Sequence, residues 1–277
     1  MSLTAESFTF VADLVRRRSA IQLDAGKEYL VESRLLPLAR AAAAADVEAY
    51  VRAVRATSHP AALEAVVEAL TTNETSWFRD NQPFQALVEH VVPETLAANR
   101  ASGVVGPLRI WSGACSSGQE PYSIAMTLTD ARPGLDLRII ATDLSEQMVA
   151  RTRAGRYNQL EVNRGLPAPM LVRYFTRSGA DWEVVPAIKE RVTVQRHNLL
   201  DAPPIGGPFD VVFLRNVLIY FDLPTKRDIL RRVQQVLRPG GFLFLGAAET
   251  TIGIDDTWER VPVGRGSVYR STSRRAA

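Results

Sequence analysis

The residues best suited to chemistry in this chain follow a short apolar run at residues 108–111. The run breaks into a turn of small residues, 113–118, and the turn leads directly into a helical pattern. Glycine has no Cβ and adopts positive φ without strain, so a turn of this kind allows the backbone to approach a ligand closely. The helix that follows directs its first backbone N–H groups towards the same ligand. The segment predicts a nucleotide-like cofactor without identifying it.

A carboxylate, Asp143, ends the next apolar run along the chain. In an open α/β sheet, ligands bind beyond the carboxyl ends of the strands, and an acidic side chain there accepts the hydroxyls of a ribose. The alternative is that Asp143 caps the helix that begins near Ser145. The small-residue turn upstream favours ribose binding.

Further polar residues follow the later apolar runs. Asn198 is either a partner for an adenine edge or a plain turn asparagine, and its spacing does not decide between the two. Arg215 and Asn216 come directly after the run FDVVFL, where packing gives no reason for two polar residues. By position alone, Tyr220 is more simply an aromatic on a helix face than a ligand of the same cleft.

The sequence pattern changes once along the chain. Residues 4–72 repeat apolar side chains at spacings of three and four, as at Phe8, Val11 and Val15, which predicts packed amphipathic helices. From Pro107 onward, strand and helix patterns alternate, which predicts a parallel sheet covered by helices on both faces. The predicted strands are residues 108–114, 137–144, 192–198, 209–214 and 241–247, and the predicted helices are residues 120–130, 146–154 and 224–237. Residues 238–241 (RPGG) predict a helix stop followed by a turn.

Composition limits the class of protein. With 277 residues and a net charge of only +3, the chain can bury a large core and gives little reason to expect a nucleic-acid partner. One cysteine, Cys115, excludes an internal disulfide and fits a reducing compartment. No apolar run approaches the roughly 18 residues of a membrane span, and no signal-peptide pattern opens the sequence, so we expect a cytoplasmic protein. His59, His90 and His197 lack metal-ligand spacing, and no metal is expected.

Six motifs, taken in order, resemble those of a known enzyme family. They are residues 72–79 (TNETSWFR), 111–123 (WSGACSSGQEPYS), 141–143 (ATD), 198–200 (NLL), 215–222 (RNVLIYFD) and 237–241 (LRPGG). Together they resemble the CheR-type chemotaxis receptor methyltransferases, which use S-adenosylmethionine, and the resemblance runs over essentially the whole chain. The combination of Asn-x-Thr-x-x-Phe-Arg, Gly-x-Glu-Pro-Tyr-Ser and Arg-Asn-Val-x-Ile-Tyr-Phe is highly specific.

The resemblance implies a fold and a domain division. Residues 73–277 are expected to form a class I S-adenosylmethionine-dependent methyltransferase domain, a Rossmann-like α/β fold with seven strands. An all-α receptor-docking domain is expected at residues 1–72, and a small antiparallel β-subdomain is expected as an insert at about residues 172–191. In some members this subdomain binds a tethering peptide at the receptor's C-terminus. The segment is shorter here around residues 178–182, so the sequence does not favour such tethering.

The resemblance also implies site residues. The cofactor would be held by Asn73, Thr75, Arg79, Glu120, the ribose ligand Asp143, the adenine-side residues Asn198 and Leu199, and the segment Leu214, Arg215 and Asn216. Arg79 and Tyr220 match the two side chains nearest the transferred methyl group. This match changes the interpretation of Tyr220 from packing to catalysis.

The implied reaction is methyl transfer to the side-chain carboxylate of specific chemoreceptor glutamates, which forms methyl esters and S-adenosylhomocysteine during chemotaxis adaptation. A glutamate ordinarily has a pKa of about 4.3, so the nucleophile is ionised at neutral pH and needs no general base. The protein must supply alignment, which contributes on the order of 7–11 kcal/mol in well-aligned intramolecular reactions. We hypothesise that Arg79 neutralises and orients the acceptor, while the Tyr220 hydroxyl holds the acceptor oxygen or the sulfonium side.

A basic helix is the expected docking surface for the cytoplasmic helical domain of methyl-accepting chemoreceptors. The candidate is the helical segment at residues 27–44, which carries Lys27, Arg34 and Arg40, and the resemblance matches Arg34 and Arg40 to basic positions of the family. Lys27 and Arg34 are seven residues apart and share a helical face, whereas Pro37 departs from the family pattern and predicts a kink that changes the phase of Arg40. The N-terminal region has eight Lys and Arg against ten Asp and Glu through Thr75. We therefore expect only a local basic stripe, and ordinary solvated charge is the alternative.

Other functions fit the motifs less well. A nicotinamide-dependent dehydrogenase would share the turn and Asp143, but Asp143 lies thirty residues after Gly113, beyond the roughly 20 of the dinucleotide fingerprint. A nucleoside triphosphatase needs Gly-Lys-Ser/Thr where this chain has GQE. A methyltransferase for exocyclic base amines would show Asn/Asp-Pro-Pro-aromatic instead of RNVL. Two alternatives stay open: a non-catalytic signalling adaptor loaded with the cofactor, and a methyltransferase for a different protein acceptor.

Overall fold

The computed structural model describes residues 3–264 and 266–272, and the chain divides into two compact units. The first unit contains the chain up to Thr72 together with Tyr220–Thr225. The second contains Asn73–Ile219 and the chain from Lys226 onwards. The first unit is therefore discontinuous in sequence.

The first unit is helical, as the apolar spacing predicted. Its helices are α1 (Ala5–Ser19), α2 (Glu28–Ala41), α3 (Val47–Thr57) and α4 (Pro60–Ala69). Asp46 caps α3 by accepting the backbone N–H of Ala49 at 2.8 Å, which satisfies one of the unpaired donors of the first turn. The predicted stripe of α1 is buried, with Val11 and Val15 fully inaccessible.

A buried carboxylate ties α3 to the start of α1. Glu48 accepts the backbone N–H of Thr4 at 3.0 Å and the hydroxyl of Ser7 at 2.9 Å. The Thr4 hydrogen bond is the main cause of the lowered pKa of the Glu48 carboxyl, because bonds to the charged form favour ionisation. The carboxylate thus stabilises the contact between the two helices without needing a buried cation.

The second unit is an α/β fold. Its strands are β1 (Leu108–Gly113), β2 (Leu137–Asp143), β3 (Arg156–Tyr157), β4 (Phe175–Ser178), β5 (Asp181–Val184), β6 (Val192–Arg196), β7 (Phe209–Leu214), β8 (Leu237–Leu245), β9 (Trp258–Val263) and β10 (Gly266–Ser271). The helices are α5 (Gln82–Ala86), α6 (Val92–Ala101), α7 (Gln119–Ala131), α8 (Glu146–Ala154), α9 (Gln159–Val162), α10 (Ala168–Tyr174), α11 (Pro186–Lys189) and α12 (Leu223–Val236), of which the first three residues belong to the first unit. A π-helical turn, Leu87–Val91, joins α5 to α6, and a 3₁₀ turn, Leu218–Tyr220, precedes α12.

Seven strands form one sheet in the order β6-β2-β1-β7-β8-β10-β9. The strands from β6 to β8 are parallel, and β10 runs antiparallel to both β8 and β9. This architecture confirms the predicted α/β class. The strand order reverses between β1 and β7, where Ser112 lies beside Phe213. Such a reversal opens a crevice at the carboxyl ends of the two strands, which is where open α/β sheets bind ligands.

The core explains why the central strands read as continuous apolar runs. All six residues of β7 are buried, and Phe213 stacks on Phe244 of β8 with ring centroids 4.3 Å apart. Helices cover both faces of such a parallel sheet, so alternation of polar and apolar residues disappears. Where the helical cover ends, polar residues reappear, and this is the edge at which the predicted site residues lie.

A second sheet has the antiparallel order β3-β5-β4. It is the small β-subdomain that the family resemblance implied, and its first strand lies upstream of residues 172–191. Trp77 packs edge-on against Tyr157 of β3 at 4.8 Å and Phe175 of β4 at 5.3 Å. The small sheet therefore holds the segment that begins at Asn73.

Two features of the large sheet differ from the sequence prediction. The hairpin of β9 and β10 was not predicted. The predicted helix stop is confirmed by the end of α12 at Val236, but residues 238–241 lie within β8. The β7–β8 pairing passes from Phe209–Leu237 to Val211–Phe242. The extra residues therefore form a bulge within β8. The prediction of a separate turn at residues 238–241 was wrong.

Candidate active site

Two predicted residues meet at the crevice between β1 and β7. Arg215, the first residue after β7, donates from Nη1 to Glu120 Oε2 at 3.0 Å. Glu120, in the first turn of α7, also accepts the Ser112 hydroxyl at 2.8 Å through Oε1. The Arg215 side chain is 2% exposed and that of Glu120 is 13% exposed. A buried charge must be paired, so each residue fixes the orientation of the other.

Arg215 also binds the segment that carries Asn73, Thr75 and Arg79. Its Nη2 donates to the backbone oxygen of Arg79 at 3.0 Å and to Asp80 Oδ2 at 2.6 Å. Arg215 therefore joins this segment to α7. Sequence reasoning missed Asp80, although its place directly after a candidate catalytic arginine was the available signal.

The same segment is anchored along its length by backbone hydrogen bonds. The Trp77 N–H donates to the oxygen of Arg164 at 3.0 Å, and the Phe78 N–H donates to the Ser123 hydroxyl at 3.1 Å. Phe78 and Asp80 have φ values of 49° and 66°, a region that residues with a Cβ enter only when surrounding contacts enforce it.

Thr75 and Arg79 are half-buried in this rigid segment. Within the part of the chain that the structure describes, the guanidinium of Arg79 donates no hydrogen bond. Its backbone is fixed by Arg215, whereas its charged group has no assigned protein acceptor. The backbone of Arg79 is thus held in place, while its guanidinium makes no hydrogen bond within the described residues.

The positive φ values in the small-residue turn do not fall only on its glycines, as the sequence had suggested. Positive φ values occur at Ala114 (53°), Ser116 (50°) and Gly118 (96°), whereas Gly113 has no positive φ. A Cβ at Gly118 would lie 2.8 Å from Thr152 Cγ2 and 2.9 Å from Tyr157 Oη. The glycine at 118 is therefore required for packing against Thr152 and Tyr157, and the close approach of this turn to a ligand stays a prediction.

Asp143 holds this turn against the end of β2. Its Oδ2 accepts the N–H of Ser116 at 2.8 Å, and its Oδ1 accepts the N–H of Ser145 at 2.9 Å. Ser145 itself caps α8 by accepting the N–H of Met148 at 3.2 Å. The cap that was the alternative role for Asp143 is therefore provided by Ser145. The Ser116 hydroxyl also donates to the backbone oxygen of Asn73 at 2.6 Å, which brings three predicted segments together.

Asn198 adopts the turn conformation that sequence analysis left open. Its Oδ1 accepts the N–H of Leu200 at 3.1 Å, and its backbone oxygen accepts the N–H of Asp201 at 2.9 Å. This is an Asx-type turn. Asn198 and Leu199 are half-buried beyond β6, so the adenine-side contact stays a prediction.

The loop after β7 is held by a residue that sequence reasoning missed. Asn216 has a φ of 58°, and its N–H donates to Glu249 Oε2 at 2.7 Å. Leu214, just before it, is fully buried. The available signal for Glu249 was its position after a buried strand, the same signal that marked Arg215 and Asn216.

Tyr220 belongs to the first unit and Arg79 to the second. Tyr220 ends the 3₁₀ turn, is half-buried, and accepts the backbone N–H of Gln22 through its carbonyl oxygen at 3.3 Å. The structure thus places the turn, while the catalytic role of the Tyr220 hydroxyl stays a prediction.

The predicted docking residues differ in how far their charges are available. Lys27 precedes α2 and pairs with Asp24 at 2.9 Å. Arg34 donates to the backbone oxygen of Thr71 at 2.8 Å, so its guanidinium caps the end of the helical region. Arg40 is exposed, and α2 continues through Pro37 to Ala41.

Cys115 lies in the turn beside the predicted carboxylates and is buried. Burial raises the pKa of its thiol well above the usual range, and the charges of Asp143 and Glu120 raise it further. A thiol that stays protonated is a poor nucleophile, so it fills space in the turn. Among the described residues, no three His, Cys, Asp or Glu side chains group as metal ligands, and no helix has the length and apolar character to span a membrane.

Comparison with known proteins decides the family. Residues 73–265 match the model of the CheR methyltransferase SAM-binding domain, and residues 6–71 match that of the CheR methyltransferase all-alpha domain. This chain belongs to the CheR methyltransferase family. Its relatives include chemotaxis protein methyltransferase 1 of Pseudomonas aeruginosa, 41% identical over 98% of this chain and 100% of the relative. The chemotaxis protein methyltransferase of Vibrio parahaemolyticus is 38% identical over 98% of each chain.

The residues of the crevice fit the cofactor of the CheR family, S-adenosylmethionine, which carries sulfonium and ammonium charges and one carboxylate. Two carboxylates, those of Asp80 and Glu120, pair with one buried guanidinium, that of Arg215. This excess of negative charge favours a cation. The buried Nε of Arg215 has no hydrogen-bond acceptor among the described residues, so it remains a donor for the carboxylate of a ligand.

Proposed function

We propose that this protein transfers the methyl group of S-adenosylmethionine to the side-chain carboxylates of specific glutamates in chemoreceptors, in chemotaxis adaptation. The observation that carries the proposal is the buried Arg215–Glu120 pair at the β1/β7 crevice, which also binds the segment of Arg79. The match to the CheR family and the names of its relatives support the reaction and the pathway.

The cofactor, in this proposal, is bound by the segment at residues 73–79 and by residues that end or follow β1, β2, β6 and β7. They are Asn73, Thr75, Arg79, Glu120, Asp143, Asn198, Leu199, Leu214, Arg215 and Asn216. When bound, S-adenosylmethionine supplies an electrophilic methyl group on a sulfonium that leaves as a neutral thioether. The protein has to hold this group in one orientation and exclude water from it.

Arg79 and Tyr220 are the proposed catalytic residues. The guanidinium of Arg79, on a rigid segment, orients the acceptor carboxylate by charge, and the Tyr220 hydroxyl donates a hydrogen bond to an acceptor oxygen or lies beside the sulfonium. Because the acceptor glutamate is already ionised at neutral pH, neither residue has to remove a proton. Alignment of the two reactants is the main contribution of the protein.

Helix α2 is the proposed docking surface for the cytoplasmic helical domain of the receptors. Tyr29 is 71% exposed, and Leu36 and Arg40 are also exposed. Spacings of seven and four place all three on one helical face. Exposed apolar side chains beside a basic group fit an acidic amphipathic helix. The guanidinium of Arg34 already donates to the backbone oxygen of Thr71. The proposed surface therefore centres on Arg40 and these apolar neighbours, with Lys27 at its edge.

The test of the proposed function is direct. S-adenosylmethionine labelled in its methyl group is incubated with the protein and chemoreceptor-rich membranes from the same organism, and base-released methanol is then collected. Base-labile label on the receptor would establish carboxyl methylation. Cofactor binding without label would contradict the receptor substrate and favour the adaptor or another acceptor, whereas absence of cofactor binding would contradict the enzyme assignment itself. Arg40→Glu should raise the KM for receptor and leave cofactor affinity unchanged.

A further inference from the structure

Glu249 lies in the loop after β8 and belongs to no motif that the sequence analysis singled out. We propose that Glu249 is a positioning residue for methyl transfer, whose carboxylate fixes the loop between Arg215 and Tyr220. The expected effect on rate rests on the proposed function. The role of Glu249 in holding the loop can be tested without measuring methyl transfer.

The carboxylate binds backbone donors from two loops. Its Oε2 accepts the N–H of Asn216 at 2.7 Å and the N–H of Gly246 at 2.6 Å, and its Oε1 accepts the N–H of Ile219 at 3.3 Å. These loops follow neighbouring parallel strands, since Leu214 of β7 pairs with Leu245 of β8. One side chain thereby links the ends of two central strands, with hydrogen bonds strengthened by the charge of the acceptor.

Close packing at Gly246 makes this arrangement specific. A Cβ at Gly246 would lie 2.6 Å from Asn216 Nδ2 and 2.7 Å from Glu249 Oε2. Asn216 itself has a φ of 58°, in the left-handed region that asparagine enters more readily than most residues with a Cβ. The Glu249 hydrogen bond to its N–H holds this backbone in place, so we expect the loop to become more mobile when the carboxylate is removed.

The two ends of this loop carry proposed site residues. Arg215 directly precedes Asn216 and holds both Glu120 and the Arg79 segment. Tyr220 directly follows Ile219 in the same 3₁₀ turn. The three hydrogen bonds of Glu249 are all to backbone N–H groups, so in this proposal it acts through the backbone of the loop. A misplacement of about 1 Å costs on the order of 100-fold in rate when alignment is the main catalytic contribution.

The experiment uses three variants of the full-length protein. Glu249→Ala removes the carboxylate, and Glu249→Gln keeps one carbonyl oxygen while placing an amide N–H₂ beside one backbone donor. Glu183→Ala is the matched control, because Glu183 is also half-buried but pairs with Lys189 in the small sheet. The measurements are amide hydrogen exchange at residues 216, 219 and 246 without ligand, affinity for S-adenosylhomocysteine, and single-turnover methyl transfer at saturating S-adenosylmethionine.

In Glu249→Ala we expect faster exchange at all three amides and a single-turnover rate lower by about 100-fold. Glu249→Gln should keep protection at 216 and 246, where its carbonyl oxygen replaces Oε2, and should recover much of the rate. Glu183→Ala should match the wild type in exchange at these amides and in rate. Unchanged exchange in Glu249→Ala, or a normal rate per folded molecule with only lowered thermal stability, would overturn the proposal. A wild-type protein that protects these amides but transfers no methyl group would instead contradict the proposed function.

Discussion

Glu120 and Arg215 lie 95 positions apart in the chain, yet their side chains form a 3.0 Å ion pair with almost no exposure to solvent. Only the sheet topology explains this proximity, because β1 and β7 are neighbours where the strand order reverses. Sequence motifs marked both residues as candidates but contained no information that they contact each other. The sheet topology therefore creates the ion pair on which the proposed cofactor site depends.

Arg215→Met should be strongly destabilising. It leaves the Glu120 carboxylate poorly exposed and without its cation, and loss of one partner of a buried pair costs about 3–5 kcal/mol. Urea unfolding should show a decrease of about 3 kcal/mol in the free energy of unfolding. The control is Arg231→Met on α12, whose pair with Asp228 is well exposed and should contribute at most about 1 kcal/mol. Equal stability losses in the two variants would contradict the burial argument.

Gly118→Ala should destabilise the turn before α7. The new Cβ would lie 2.8 Å from Thr152 Cγ2, at a φ of 96°, so overpacking of about 1–3 kcal/mol adds to a backbone cost of about 1–2 kcal/mol. Gly103→Ala separates the two effects, because it also has positive φ but has open space around it. Urea unfolding should show a clearly larger loss for Gly118→Ala. Titration with S-adenosylhomocysteine should show weaker binding for Gly118→Ala alone.

Alkaline pH should destabilise the protein through two buried phenols. Burial raises the pKa of Tyr122 and that of Tyr157, whose hydroxyls donate to the backbone oxygens of Thr152 and Ser117. Above about pH 10 the unfolded chain releases phenolic protons that the folded chain retains, so the free energy of unfolding falls by about 1.4 kcal/mol per pH unit for each phenol. Below the unfolded pKa this stability is fully present.

Urea unfolding between about pH 8 and about pH 11 measures this slope. Tyr122→Phe and Tyr157→Phe should each flatten it, because each removes one group whose pKa is raised on folding. Tyr29→Phe is the control, since Tyr29 is highly exposed on α2 and should leave the slope unchanged. A slope that none of the three substitutions alters would mean that the buried phenols are not its cause.

Tyr220→Phe should slow methyl transfer more than it weakens cofactor binding. The substitution removes a hydroxyl while keeping the ring, and one hydrogen bond made mainly in the transition state contributes about 1.4 kcal/mol, or about tenfold in rate. The measurements are single-turnover rate and the Kd for S-adenosylhomocysteine. Equal losses in both would contradict the catalytic role and would mean that Tyr220 serves binding.

The sequence predicted the parts of this structure that depend on local pattern. The helix at Glu146–Ala154 and the strand at Phe209–Leu214 have the predicted bounds, because apolar periodicity and capping residues determine them locally. The role of Gly118 could not be predicted, since it depends on Thr152 of a later helix. Likewise, the contacts of Asp80 with Arg215 and of Glu249 with Asn216 could not be predicted, because they depend on the pairing of strands that are distant in the sequence.

The helical region shares its unit with six residues, Tyr220–Thr225, from far along the chain. The Gln22 N–H has its acceptor there, and Arg16 lies 3.9 Å from Asp222. Chimeras that exchange receptor preference between relatives by swapping residues 1–72 would combine one parent's helices with the other parent's hexapeptide. A swap that respects the folded unit has two segments, and the second of them begins with a proposed catalytic tyrosine. In the proposed function, the hexapeptide therefore belongs both to the unit proposed to dock the receptor and to the residues proposed to transfer the methyl group.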